Sequence, residues 1–319
     1  MKENCECPRI AVVVPCYNEE EALRFTMPRL LDILKRQTEA GTIAPDSYVL
    51  FVDDGSRDAT WREIKELNAQ YPTRVHGVAL AHNRGHQYAL LAGLMTAKDE
   101  CDAAISIDAD LQDDPEAIVA MIDAFRGGAE IVYGVRRSRQ TDTWFKRNSA
   151  RAFYKVQNLM GLKTVYDHAD YRLMSRRALQ ILSEYKEHNL FLRGIVPQIG
   201  LKTAVVEYDR HERVAGDSKY PLRKMISFSV DGITSFSAKP MRWIFYLGLL
   251  LLMLDIVVAI YVLYAYFRHD TVSGWSSLML SVWFLGSLIL MALGVIGEYI
   301  GKIFIEVKDR PRYNIRERI

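Results

Sequence analysis

Two short acidic clusters carry the clearest chemistry in the chain. Asp108-Ala109-Asp110 directly follows the apolar run 103–107, with Gln112 and Asp113 close behind. In an extended chain, residues two apart point to the same side, so both carboxylates can hold one divalent cation. Hard oxygen ligands favour Mg2+ or Mn2+. Such an ion would neutralise a diphosphate and stabilise it as a leaving group. A D-x-D alone reads as a solvated turn. Its place after a buried run, and a second cluster at Asp53-Asp54-Gly55-Ser56, argue for a site. Rival chemistries lack their residues. There is no Gly-x-x-x-x-Gly-Lys-Ser/Thr loop, no Gly-x-Gly-x-x-Gly after the first strand and no Gly-x-Ser-x-Gly elbow, and the histidines do not pair at metal-ligand spacing on a helix.

The elements that must position these clusters follow from the apolar pattern. Run 10–14 is continuous and apolar, as buried parallel strands are, and 48–52, 75–80, 103–107 and 131–134 read as further strands. Helical stretches at 20–36, 59–70, 87–97 and from Pro115 to about 125 separate them. This alternation predicts an open α/β sheet with mostly parallel strands. Ligands of such sheets bind at the carboxyl ends of the strands. Residues 15–19, 53–56 and 108–114 all fall there, so the polar clusters converge on one edge.

A length of 319 residues suits a catalytic domain with an appendage. With 50% hydrophobic and 25% charged residues, disorder is excluded. The net charge of +2 gives no reason to expect a nucleic-acid partner. Cys5 and Cys7 form a C-x-C pair without a second pair at zinc spacing. With Cys16 and Cys101 they read as reduced thiols in a reducing compartment. The polar start and the short first apolar run predict no signal peptide.

Residues 244–267 carry one charge, Asp255, and residues 278–300 one, Glu298. Each run exceeds the roughly 20 residues that cross a bilayer core as a helix. The link 268–274 makes them a transmembrane hairpin. Lys224, Lys239 and Arg242 precede it, and Lys302, Lys308, Arg310, Arg312, Arg316 and Arg318 follow it, whereas the link holds only Arg268. The positive-inside rule therefore predicts a multi-pass protein of the cytoplasmic (inner) membrane with both termini and the catalytic domain in the cytoplasm. Asp255 either has a function within the span or faces a partner helix in an oligomer. In 221–240, Met225, Ile226, Phe228, Val230, Ile233 and Phe236 form an apolar side. That segment is either an interfacial amphipathic helix or a helix packed on the catalytic domain. The expected division is a catalytic domain at 1–220, an amphipathic juxtamembrane segment at 221–240, the hairpin within 241–305 and a basic cytoplasmic tail at 306–319.

Several motifs in order carry a resemblance. Val13-Val14-Pro15-Cys16-Tyr17-Asn18-Glu19, Val52-Asp53-Asp54-Gly55-Ser56 and Asp108-Ala109-Asp110-Leu111-Gln112-Asp113-Asp114-Pro115 resemble the successive motifs of glycosyltransferase family 2. The likeness continues through His82-Asn83-Arg84-Gly85, Asp170-Tyr171-Arg172-Leu173 and Arg213 to Gly216-Asp217-Ser218-Lys219-Tyr220. Where relatives carry Asp-Phe-Arg, Tyr171 replaces the phenylalanine. With the two spans, residues 8–312 resemble bacterial polyprenyl-phosphate glycosyltransferases, relatives of dolichyl-phosphate mannose synthase.

The resemblance implies a GT-A fold and inverting transfer from a nucleotide-diphosphate sugar, UDP rather than GDP, with glucose or N-acetylglucosamine as the sugar. It places Pro15, Tyr17 and Glu19 around base and ribose, Asp53 on the base, and Asp54 among the donor-binding residues. Asp108 contacts the donor and helps position the metal, with Asp110 and Gln112 as direct ligands. The acceptor is undecaprenyl (polyprenyl) phosphate, an anion that needs cationic positioning more than a strong base. Arg136, Arg147, Ser149, Arg151, Arg172, Arg213 and Lys219 are the candidates to hold it. Asp170 is either a base or an orienting group. The product would serve cell-envelope glycan modification, and a homo-oligomer, with a tetramer as one form, is implied. A processive polysaccharide synthase would need more spans and a Q-x-x-R-W-type motif, and neither is present. A non-catalytic scaffold would not need both acidic clusters.

Overall fold

The computed structural model describes residues 7–137, 168–188, 190–209 and 274–319, with scattered positions between 243 and 260. It divides into two compact units. One holds Met1–Tyr154, Lys163–Tyr220 and Arg310–Ile319; the other holds Lys155–Leu162 and Pro221–Asp309.

The first unit is a layered α/β domain. Its elements in chain order are β1 (Ile10–Cys16), α1 (Glu20–Glu39), β2 (Tyr48–Asp53), α2 (Thr60–Gln70), β3 (Val75–Leu80), α3 (His86–Ala97), β4 (Ala103–Ser106), α4 (Ala117–Arg126) and β5 (Ile131–Arg136). Then come β6 (His168–Ser175), α5 (Arg176–Glu184), α6 (Leu192–Ile195), a 3-10 turn (Val196–Ile199), β7 (Thr203–Tyr208) and β8 (Ile315–Arg318). The strands form one sheet in the order β7-β5-β6-β4-β1-β2-β3-β8. The sheet is mixed rather than wholly parallel. β6 runs against β4 and β5, and β8 runs against β3. Every residue of β1 and β2 is buried, which is why both read as unbroken apolar runs. The chain turns one way from β1 through β2 to β3 and places β4 on the other side of β1. Such a reversal of strand order opens a ligand crevice at the carboxyl ends.

Helix α3 lies unusually close to this crevice. A Cβ on Gly93 would stand 2.4 Å from Val13 Cγ1 and 2.7 Å from Val52 Cγ2, so the small residue lets the helix settle on β1 and β2. Gly93→Ala is expected to overpack this contact and cost about 1–3 kcal/mol. Chemical denaturation would register it as a lower midpoint at unchanged slope; an unchanged midpoint would mean the helix can lift away freely.

The residues set apart in the sequence as a basic tail include a strand of the sheet. Glu317 of β8 accepts from Trp61 Nε1 at 2.9 Å and from Lys65 Nζ at 2.6 Å. Ile319 exchanges two backbone hydrogen bonds with Gly77, at 2.9 and 3.0 Å, and Arg318 is paired with Glu100. A short, charged strand is a common way to finish an open sheet edge.

In the second unit, α7 (Trp275–Val307) continues past the expected end at 300. Its stretch Phe284–Val307 is long and apolar enough to cross a membrane and is not buried within the protein. Leu285, Ile289, Leu290 and Leu293 are all exposed, so the apolar character is not confined to one stripe. Every described position between 243 and 260 is helical. The rest of the expected first span, with Asp255, and the segment 221–240 lie outside the described residues.

Candidate active site

The ends of β1 and β2 are joined by a network of turns. Cys16 pairs with Asp53 in the parallel register, and Cys16 O accepts from Asp54 N–H at 2.9 Å. Asn18 takes the left-handed region at φ 53°. Its N–H donates to Ser56 Oγ at 3.0 Å, and its Oδ1 accepts from Arg57 N–H at 2.9 Å. Gly55 has φ +67°, and a Cβ there would meet Asn83 N at 2.7 Å, so the loop needs glycine. Pro15 is buried in β1, and Tyr17 stands 39% exposed beyond its end. Glu19 N–H donates to Thr60 Oγ1 at 2.9 Å.

The two neighbouring aspartates divide their work. Asp53 is fully buried, and its Oδ1 accepts from Ser56 N–H at 3.0 Å. Its Oδ2 is buried without a hydrogen-bond partner. Asp54 turns the other way and accepts from Arg84 N–H at 2.7 Å and Gly85 N–H at 2.8 Å. It therefore fixes the loop entering α3. Burial raises its pKa, against the pull of those two amide donors.

The second half of the site forms where β4 meets β6. Ser106 lies opposite Arg172 in the antiparallel register. Continuing that pairing two residues brings Asp170 beside Asp108. The Asp170 carboxylate is 6% exposed and heavily partnered. Arg172 Nη2 donates to its Oδ1 at 2.5 Å. Arg193 Nη2 and Gln87 Nε2 donate to its Oδ2 at 3.0 and 3.2 Å. His86, at the start of α3, places Nε2 3.7 Å from both Asp108 Oδ1 and Asp170 Oδ2. Burial would raise the Asp170 pKa, but Arg193, Arg172 and His86 overcome it and hold the carboxyl well below the usual range. Asp108 is shifted the opposite way. Burial raises it, His86 opposes, and the Asp170, Asp113 and Asp110 carboxylates push it further up. The two carboxylates thus flank the His86 ring with opposed proton affinities.

Leu111 at φ 50° turns the acidic loop, and Gln112 N–H donates to Asp110 Oδ1 at 3.1 Å. Among the described residues, no three His, Cys, Asp or Glu side chains form a ready metal cage. Asp108 and Asp110 still offer hard oxygen donors in a pocket crowded with carboxylates, a donor set that fits a cation completed by water and phosphate oxygens.

The geometry revises two of the cationic expectations. Arg172, expected to bind the acceptor phosphate, is 1% exposed and held between Asp170 and Leu192 O. It supports Asp170 from behind. Arg136, also expected on phosphate, donates to Asp113 Oδ1 through Nε at 3.1 Å and Nη2 at 2.9 Å, so its charge is already matched. Arg147, Ser149, Arg151, Arg213 and Lys219 lie outside the described residues. His86, Gln87 and Arg193 join the cluster without having been singled out. His86 immediately follows the His82-Asn83-Arg84-Gly85 motif, which could have signalled it. Arg193 reaches Asp170 only because α6 returns to the sheet, which no local pattern reports.

Comparison with known proteins agrees with this architecture. Residues 11–182 match Glycosyl transferase family 2. Residues 239–303 match the GtrB C-terminal hairpin. The chain is 53% identical over 308 residues to the uncharacterized glycosyltransferase YkoT of Bacillus subtilis (strain 168), covering 97% of this chain and 91% of that one. It is 40% identical over 318 residues to the SfII prophage-derived bactoprenol glucosyl transferase of Shigella flexneri, covering 97% and 98%. A prophage bactoprenol glucosyl transferase homolog of Escherichia coli (strain K12) is 37% identical over 310 residues, covering 97% and 98%.

Proposed function

The chain belongs to glycosyltransferase family 2, and from that premise we propose that it transfers glucose, with inversion, from UDP-glucose to a polyprenyl phosphate at the cytoplasmic face of a membrane. The observation that carries the reading is the placement of Asp53, with a buried oxygen that accepts no hydrogen bond, on the same sheet edge as the Asp108–His86–Asp170–Arg193 cluster. A buried carboxylate oxygen needs a donor, and the imide N–H of uracil supplies one. Glucose and the lipid phosphate follow from relatives named bactoprenol glucosyl transferase. The hairpin match and the long apolar α7 support the membrane.

In the proposed reaction an acceptor phosphate oxygen forms the new bond to the anomeric carbon. The bond from that carbon to the donor diphosphate breaks, and UDP leaves with the electron pair. Mg2+ or Mn2+ on Asp108 and Asp110, with Gln112 beside them, would supply positive charge for the leaving diphosphate. The acceptor is already anionic, so no strong base is required. Asp170 suits that chemistry, because two guanidiniums keep it ionised and make it a weak base. Its task is to orient Arg193 and His86, whose partly exposed side chains can meet the acceptor anion. Arg193→Ala is expected to raise KM for the lipid phosphate about tenfold, with the donor KM little changed. An equal rise for both substrates would remove Arg193 from the acceptor side.

The test is transfer of radiolabel from UDP- and GDP-sugars to undecaprenyl phosphate in detergent, with Mg2+, Mn2+ or chelator. Metal-dependent label in the lipid phase, strongest from UDP-glucose, is the expected result. No lipid label from any donor, despite measurable nucleotide binding, would sink the lipid-phosphate acceptor.

A further inference from the structure

Strand β8 brings one side chain to the donor pocket that the family motifs do not include. Arg316 Nη2 lies 4.0 Å from Asp53 Oδ2. That oxygen is buried and has no hydrogen-bond partner. The distance exceeds a hydrogen bond, so the guanidinium faces the carboxylate without satisfying it. The Arg316 side chain remains about half exposed, at 49%. Its strand is nevertheless firmly placed. Glu317 lies opposite Ala79 and Ile315 opposite Leu80, and Glu317 is held by Trp61 and Lys65. Arg316 is the extra residue between Glu317 and Ile315, where the register with β3 shifts, and such a bulge re-aims the side chain it carries.

We propose that Arg316 is a donor-binding residue that reads the carbonyl edge of the nucleotide base beside Asp53. The assignment rests on the donor reading given above and specifies its base class. A buried acceptor next to a cationic donor matches a base that presents an N–H flanked by a carbonyl oxygen. Uracil has that edge, and guanine shares it. Cytosine and adenine present a bare ring nitrogen at the corresponding position, which would face the Asp53 carboxylate lone pair to lone pair. Asp53 thus takes the imide N–H, and Arg316 donates to the adjacent carbonyl. The C-terminal strand makes the base site complete and not merely the sheet.

Calorimetric titration of the full-length protein in detergent with UDP and with CDP tests this. The wild type is expected to prefer UDP. In Arg316→Ala the UDP affinity should fall about tenfold, as for a lost hydrogen bond to a charged group. CDP affinity should stay within twofold, so the preference narrows by about tenfold, leaving the part set by Asp53. Arg316→Gln, which keeps a polar side chain on the strand, should also narrow the preference and guards against a folding failure of the alanine variant. Arg318→Ala, on the same strand but paired with Glu100, should leave the preference intact. UDP affinity unchanged in both Arg316 variants overturns the assignment. So does an equal fall for UDP and CDP, which would point to the diphosphate, or an equal loss in Arg318→Ala, which would point to strand docking. If the wild type binds no UDP at all, the donor reading falls and this assignment with it. If it binds UDP and the Arg316 variants match it, this assignment falls alone.

Discussion

Asp108→Asn is expected to cost transfer about a thousandfold while leaving the ligand-free protein at least as stable as the wild type. The first half follows from the proposed reaction, in which Asp108 would help hold the cation that meets the donor diphosphate; one such lost group removes on the order of a hundred- to a thousandfold. The second half follows from the company Asp108 keeps. Burial raises its pKa, and three other carboxylates add to the shift against the opposition of His86. A carboxyl whose folded pKa is raised favours folding when protonated. That contribution is present below the unfolded value and is lost as pH rises through the folded one. The Asp108 side chain is 45% exposed, so solvent screens much of this repulsion, and at neutral pH the ionised group is only a small burden on the ligand-free protein, which asparagine relieves. Steady-state transfer and thermal melts in detergent should show low activity with an equal or higher midpoint, and the gain should shrink in acid. A clear fall in midpoint at neutral pH would mean that Asp108 is a structural anchor.

Asp170→Ala is expected to do the reverse and damage stability first. Arg172 is 1% exposed, and its Nε already lacks a partner. Removing Asp170 strands that buried cation and releases Arg193 and Gln87. Breaking one side of a buried pair costs about 3–5 kcal/mol, which for a domain of this size lowers the melting midpoint by about 10 °C. The pH signature also inverts. The folded pKa of Asp170 lies well below the usual carboxylate range, so its contribution is full above the unfolded value near 4 and fades only as pH falls beneath it. The gap between wild type and variant should stay level through neutral pH and close only in acid. Asp170→Ala/Arg172→Met should recover much of the loss by removing the stranded charge. A double variant no better than the single would show that the pair's charge is not the source of the penalty.

The first half of the fold was legible because its strands are mostly apolar, with few polar residues such as His76 and Ser106 inside them. Strand β3 begins and ends where the run 75–80 does, and β1, β2, β4 and β5 shift only at their ends. Strands that carry charge inward or lie at an edge were not legible. β6 reads His-Ala-Asp-Tyr-Arg-Leu-Met-Ser, so a buried ion pair disguises it as a polar motif. β8 is Ile-Arg-Glu-Arg and looks like a solvated tail. Asp53 and Asp108 stand in the sequence directly after apolar runs, and the structure puts both at strand ends. The cationic members were misjudged, because sequence cannot tell an arginine that meets solvent from one consumed by its own aspartate. Arg136 and Arg172 are of the second kind, whereas Arg193 comes from a short helix with no signal of its own.

The position of β8 sets an order of assembly during translation. The edge of β3 emerges from the ribosome long before its partner, and most of the chain, including α7, is made in between. Until Ile315–Arg318 arrive, that edge has open backbone groups and Glu317 is not yet beneath Trp61. A nascent chain therefore carries an incomplete sheet while its apolar helix is already seeking its environment. The edge would be a holdfast for chaperones and a pairing hazard for other nascent chains. Closing it is a contact of extreme sequence separation, the slowest kind to form. Arg316 comes within reach of Asp53 only at that moment, so the pairing of these two side chains waits until translation has passed the long apolar helix.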